Sequence, residues 1–238
     1  MANFVLVHGM TCGSWCWNPV AQRLRAAGHT VFSPTLSGLA ERSHLLGPHI
    51  NLDTHIQDVV GLMQWEDLAD FVLCGHSYGG MVITGAADRA PERIKALVYL
   101  DAFLPENGQC SLDIAKPGRA EQIRKLASEK GDGWRLPPLP ATAYGPIADK
   151  GLIAYIEGKC TPMPLAALEQ PIRLHGAWRS VARKLYILAE GYEGSAFQDT
   201  ARRLRAEKGW TVTGLPGSHF LGLLFPEETA RLLIEAAA

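Results

Sequence analysis

The chain has 238 residues, 47% of them apolar and 20% charged, with a formal net charge of −1. That composition suits a water-soluble globular protein with a substantial core, in one large domain or two small ones. No long run of one sign offers a footprint for nucleic acid or an anionic membrane, and no apolar stretch approaches a bilayer span. The opening MANFVLVHGM enters a short apolar run without the basic flank of a secretion signal. Five cysteines (Cys12, Cys16, Cys74, Cys110, Cys160) are odd in number and scattered. They predict reduced thiols in a cytoplasmic setting, with no disulfide framework and no zinc site.

Residues 3–8 (NFVLVH) predict a buried strand, and 15–27 a helix stopped by Gly28. A strand at 29–34, a helix at 53–65, a strand at 71–74, a helix at 78–90 and a strand at 94–101 follow. Alternation of this kind predicts a mostly parallel sheet covered by helices on both faces. The rhythm stops after Leu104. Residues 105–180 carry most of the prolines, including PPLP at 137–140, together with Trp134, Tyr144, Tyr155 and Trp178 and short helical pieces such as 121–130. The rhythm resumes with a strand at 184–190, a helix at 196–208, a strand at 210–215 and a last helix from Pro226, whose first turn is favoured by Glu227 and Glu228. The expected organisation is one α/β core, 1–104 and 181–238, with 105–180 inserted as a helical lid.

Within the core, Gly75-His76-Ser77-Tyr78-Gly79 follows a strand and precedes a helix. A Gly-x-Ser-x-Gly alone is a weak signal, but in that setting it reads as a nucleophile elbow whose strained turn exposes the serine oxygen. Ser77 is the expected nucleophile. It needs a base, and of eight histidines His219 alone follows the last strand, in the Gly/Pro-rich loop LPGSHF. The acid that orients the imidazole should end a strand between the two. Glu190, closing KLYILAE, is the preferred candidate, and Asp101, closing KALVYLD, is the alternative. The glycine turn HGMTCGSW after the first strand can aim a backbone N–H at a developing oxyanion, which nominates the Met10 and Tyr78 amides as donors. His8 is expected to brace that turn.

HGMT near the start, GHSYGG in the middle and a late histidine resemble the α/β-hydrolase fold. FVLVHGMTCGSWCW followed by GHTVFSPTLSG is similar, more narrowly, to the plant methylesterase and hydroxynitrile lyase group and its bacterial esterase relatives. The resemblance implies oxyanion donors at Met10 and Tyr78 and an acid near Glu190, although the family acid is normally aspartate. The lyases of that group carry threonine where Gly9 stands here, and lysine where Phe220 stands. Without that ammonium a departing cyanide has no counter-charge, so esterase is favoured over lyase. The expected protein is a cofactor-independent serine hydrolase with no metal, cleaving small carboxylic esters with an apolar acyl or alcohol part. Amide or lactone hydrolysis and a hydrolase-like ligand receptor stand as alternatives, and a homodimer is left open.

Overall fold

Short apolar runs rich in β-branched and aromatic residues become strands where both faces find helices to bury against. The computed structural model describes residues 1–238. Its main sheet comprises β1 (Asn3–Val7), β2 (Thr30–Phe32), β3 (Phe71–His76), β4 (Ile94–Leu100), β7 (Arg183–Ala189) and β8 (Trp210–Leu215). A separate antiparallel pair, β5 (Arg135–Leu136) and β6 (Met163–Pro164), lies between β4 and β7 in the chain. The main sheet runs in the order β2-β1-β3-β4-β7-β8, every neighbour parallel.

Side-chain alternation along the strands feeds two cores. Phe4, Leu6, Val72, Cys74 and Val98 enter one, covered by α1 (Asn18–Ala26) and α10 (Pro226–Ala237). Val5, Val7, Leu73, Leu97 and Tyr99 enter the other, beneath α2 (Leu52–Trp65), α3 (Gly79–Arg89) and α8 (Ala196–Arg205). Each fully buried Leu or Phe contributes about 1.5–3 kcal/mol, so this double cover is the main source of stability. No helix is long and apolar enough to cross a membrane.

The expected α/β alternation is present, with shifted ends. The helix expected over 15–27 begins as a 3₁₀ turn, Ser14–Trp17, and becomes α only at Asn18, with Pro19 in its first turn. The strand expected over 71–74 continues to His76 and so delivers Ser77 directly from the sheet.

The segment 105–180 is packed. It contains α4 (Ser111–Ile114), α5 (Arg119–Lys130), α6 (Lys150–Lys159) and α7 (Leu165–Glu169); α9 (Leu221–Leu224) belongs to the loop after β8. Apart from 121–130 these helices carry weak sequence periodicity. The start of α6 is marked instead by Asp149, whose Oδ1 accepts from the N–H groups of Gly151 and Leu152 at 2.7 and 3.2 Å. Backbone bonds tie the segment to the carboxyl end of the sheet: Thr161 N–H donates to Thr11 at 2.9 Å, and His219 N–H donates to Tyr144 at 3.1 Å.

Candidate active site

Ser77 sits at φ 55, in the left-handed region that non-glycine residues rarely occupy. Strand and turn bonds hold it there: its N–H donates to Leu100 at 3.3 Å, and its carbonyl accepts from Gly80 and Phe103 at 3.0 and 3.1 Å. The turn is too close to β1 for a side chain at position 79, since a Cβ on Gly79 would lie 2.7 Å from the Val7 carbonyl oxygen. The glycine of the elbow is thus a packing requirement.

Asp101, immediately after β4, is also left-handed (φ 43) and fully buried. Its N–H donates to Ile187 at 2.7 Å, and its Oδ1 accepts from Ala189 N–H at 3.0 Å. Those two bonds swing the carboxylate across the end of β7 toward the loop after β8. There Oδ2 accepts from His219 Nδ1 at 2.6 Å, which leaves Nε2 of the neutral ring as the acceptor.

The imidazole is sealed in. Phe197 stacks on it at 5.2 Å and Tyr144 at 5.5 Å, with Tyr192 and Phe220 at its edges. Burial, with a further push from the Arg119 charge, holds His219 well below the ordinary histidine range. Burial pushes the Asp101 carboxyl up, and the Ala189 N–H pulls it back. His76 donates its Nε2–H to the His219 carbonyl at 2.9 Å; burial and the neighbouring imidazole push it down to about 3, so it is a neutral brace.

Ser77 and His219 line one cavity of about 220 Å³, together with Met10, Phe103, Leu112 and Leu168. The N–H groups of Met10 and Tyr78 donate to no protein acceptor, and neither does the Ser77 hydroxyl. Behind the elbow, Tyr78 Oη–H donates to His55 Nδ1 at 2.9 Å, and His55 Nε2–H donates to the Ser37 carbonyl at 2.9 Å. Ser37 in turn gives its N–H and hydroxyl to Asp58 at 2.7 and 2.8 Å. His8 braces the first turn, donating Nδ1–H to Gly9 at 2.8 Å and accepting from Leu36 N–H at 3.0 Å.

The family described as "Alpha/beta hydrolase family" matches residues 4–232. The chain belongs to it. This α/β hydrolase is 40% identical over 241 residues to the carbendazim hydrolyzing esterase of Nocardioides sp. (strain SG-4G), with 98% of each chain covered. It is 32% identical over 105 residues to methylesterase 8 of Arabidopsis thaliana, a stretch covering 44% of this chain and 39% of that one. Among solved structures, an extracellular alpha/beta-hydrolase from a Paenibacillus species matches with a TM-score of 0.88 at 23% identity, covering 99% of each chain. Carboxylic ester hydrolysis is the reaction class of this hydrolase.

Of the residues expected from the sequence, the structure brings Ser77, His219, Met10 and Tyr78 together and leaves Glu190 outside. Glu190 directly follows β7, but its side chain is exposed, lies over Gly214 of β8 and makes no hydrogen bond. Its N–H is drawn to Leu215 at 2.9 Å, which turns its side chain away from the imidazole. Asp101 takes the place next to His219 that Glu190 was expected to fill. Sequence reasoning also missed the His55 chain behind Tyr78. The tyrosine directly after Ser77, whose hydroxyl needs a partner once buried, is the signal for it.

Proposed function

We propose that Ser77, His219 and Asp101 form the triad of a serine esterase, with the N–H groups of Met10 and Tyr78 as its oxyanion hole. The observation that carries the reading is the buried 2.6 Å contact of Asp101 with His219, in the wall of the cavity that also holds Ser77. Ser77 Oγ attacks the ester carbonyl carbon while His219 Nε2 takes its proton. Asp101 holds the tautomer and stabilises the imidazolium. The carbonyl oxygen becomes an oxyanion facing the two unspent N–H groups, each worth about 2.7–4 kcal/mol when lost in comparable holes. His219 then gives the proton to the leaving alkoxide oxygen. A water, deprotonated by the same nitrogen, cleaves the acyl-enzyme and releases the acid.

The segment 105–180 serves as a cap. Drying the cavity lowers the local dielectric and strengthens both the oxyanion bonds and the Asp101–His219 contact. The cavity volume and its Phe103, Leu112 and Leu168 walls suit a small ester with an apolar body. The lyase alternative meets a steric obstacle as well as the missing lysine: a Cβ at Gly9 would lie 2.9 Å from the Ser77 Cβ, so this turn has no room for threonine. Five unpaired cysteines, four of them buried, support a reducing compartment as the setting.

The test is covalent. A fluorophosphonate should label the protein once, on Ser77, with loss of nitrophenyl acetate turnover in step with labelling; Ser77→Ala should take no label and lose turnover. Labelling at another residue, or turnover retained by the alanine variant, sinks the assignment. Carbendazim, the compound named for the Nocardioides relative, belongs in the ester panel that follows.

A further inference from the structure

The cavity around Ser77 and His219 is polar on one side. Ser111, Tyr144 and Ser195 line it, each no more than 8% exposed, and the hydroxyl of each has no hydrogen-bond partner in the protein. The charged residues of the wall have a single sign: Lys116 and Arg119 line it, and no Asp or Glu does. Lys116 is partly neutralised by Asp199 at 3.5 Å, an exposed pair. Arg119 reaches only the Gln122 amide oxygen, at 2.8 Å, and no carboxylate.

The amino end of α8 adds to the same field. Gly194, Ser195, Ala196 and Phe197 all line the cavity, and Ser195, at the N-cap position of this ten-residue helix, does not cap it. A helix N-terminus draws oxyanions, and here its cap hydroxyl remains unused by the protein.

We infer that this side of the cavity is an acceptor subsite for a carboxylate, so that the preferred substrates are esters bearing a second, anionic oxygen group, such as half-esters of dicarboxylic acids. The scissile carbonyl lies at Ser77, as the esterase reading requires, and the distal carboxylate lies among Arg119, Lys116 and the amino end of α8. The Arg119 guanidinium, which the protein itself pairs with no carboxylate, then gains one from the ligand. A site equipped in this way discriminates mainly by what it rejects: a neutral ester of the same length leaves the cations of the wall without a counter-charge.

Binding to the Ser77→Ala protein separates this inference from the reaction. Calorimetric titration with monomethyl adipate and with methyl hexanoate should give a dissociation constant about tenfold lower for the half-ester. That gap should close when Arg119→Gln is added and narrow in high salt. Arg119→Glu should reverse it, favouring an ester with a trimethylammonium group over the half-ester. The ratio of the two ligands is the readout, so a partly unfolded variant does not mimic the result. Equal affinities in the Ser77→Ala protein, or a ratio unmoved by Arg119→Gln, overturns the subsite. Nitrophenyl acetate turnover by the parent chain reports separately: its absence would count against the esterase reading, while the binding ratio would still decide the subsite.

Discussion

At the carboxyl end of the sheet, Ser77 and Asp101 both hold left-handed backbone, and strand bonds clamp both turns: Ser77 is tied to Leu100 and Phe103, and Asp101 to Ile187. The inserted segment treats the same site differently. It reaches His219 through one backbone bond from Tyr144 and one face of that residue's ring. Strain of about 1–3 kcal/mol per residue persists only where the surroundings over-determine the conformation, and parallel neighbours on both sides of β3 and of β4 do that at the sheet end. The insertion has no such redundancy. Ser77, Asp101 and His219 thus stand on the ends of the sheet and its loops, while segment 105–180 and the amino end of α8 share the walls of the cavity.

Asp101→Asn should lower kcat by about four orders of magnitude, because the amide holds the imidazole in the wrong tautomer. Glu190→Gln should change kcat by less than about twofold, since its exposed side chain makes no hydrogen bond. Steady-state kinetics on one activated ester suffices, and a reversed order would return the acid to the end of β7.

Stability should divide the same way. Leu97→Ala, in the fully buried centre of β4, should cost about 2–5 kcal/mol. Leu126→Ala on α5, half-buried in the insertion, should cost less than about 1.5 kcal/mol. Urea unfolding of the two variants makes the measurement, and equal losses would show that the insertion is as much core as the sheet.

This division also explains what was legible in the sequence. The sheet strands are written as apolar runs because both faces are buried, and the elbow is written in Gly79 because β1 passes so close. His219 follows from chain order and its glycine-rich loop. The carboxylate partner of His219 did not follow, because KALVYLD and KLYILAE present the same signal, an acid closing an apolar strand. What separates them is a left-handed turn at Asp101 and a side chain turned onto Gly214 at Glu190, and neither has a one-dimensional signature. Apart from the helix read over 121–130, which the structure extends to Arg119–Lys130, the segment was legible only as a change of composition. Its helices are short and held by caps such as Asp149, and the cavity's unpartnered hydroxyls arise from packing alone.

A pH experiment sharpens the comparison further. Burial holds His8 down to about 4 and His76 down to about 3, and it lowers His55 as well. All three lie in the part of the chain before the insertion. Unfolded, each protonates near 6.5, so below that pH the unfolded chain binds more protons than the folded one. Stability should be fully present above 6.5 and fall as pH drops toward 4, by about 1.4 kcal/mol per pH unit for each of His8 and His76, with His55 acting in the same direction. The raised Asp101 carboxyl acts with the opposite sign and offsets the lowered His219 in contact with it, which leaves the other three histidines to set the slope. Urea midpoints at pH 7.5 and 5 test this, and a flat profile would mean that these histidines are hydrated in the folded state.

The smallest effect falls on the insertion's hold on the base. Tyr144→Ala removes the ring that stacks on His219 at 5.5 Å but keeps the backbone carbonyl that accepts His219 N–H. An aromatic pair of this kind contributes about 0.5–1.5 kcal/mol, and Phe197 still covers the ring at 5.2 Å. Turnover should therefore fall by about tenfold or less. Loss of packing alone could do the same, so the deciding observation is the acid limb of kcat/KM. With Tyr144 present, burial holds His219 neutral well below its ordinary range, and activity should persist as pH falls through 6.5. Opening one face to water makes protonation easier, and the limb should move up toward that value. Tyr144→Phe, which keeps the ring, should leave the limb where it is. If both variants shift the limb equally, or neither does, the insertion does not set the dryness of the base.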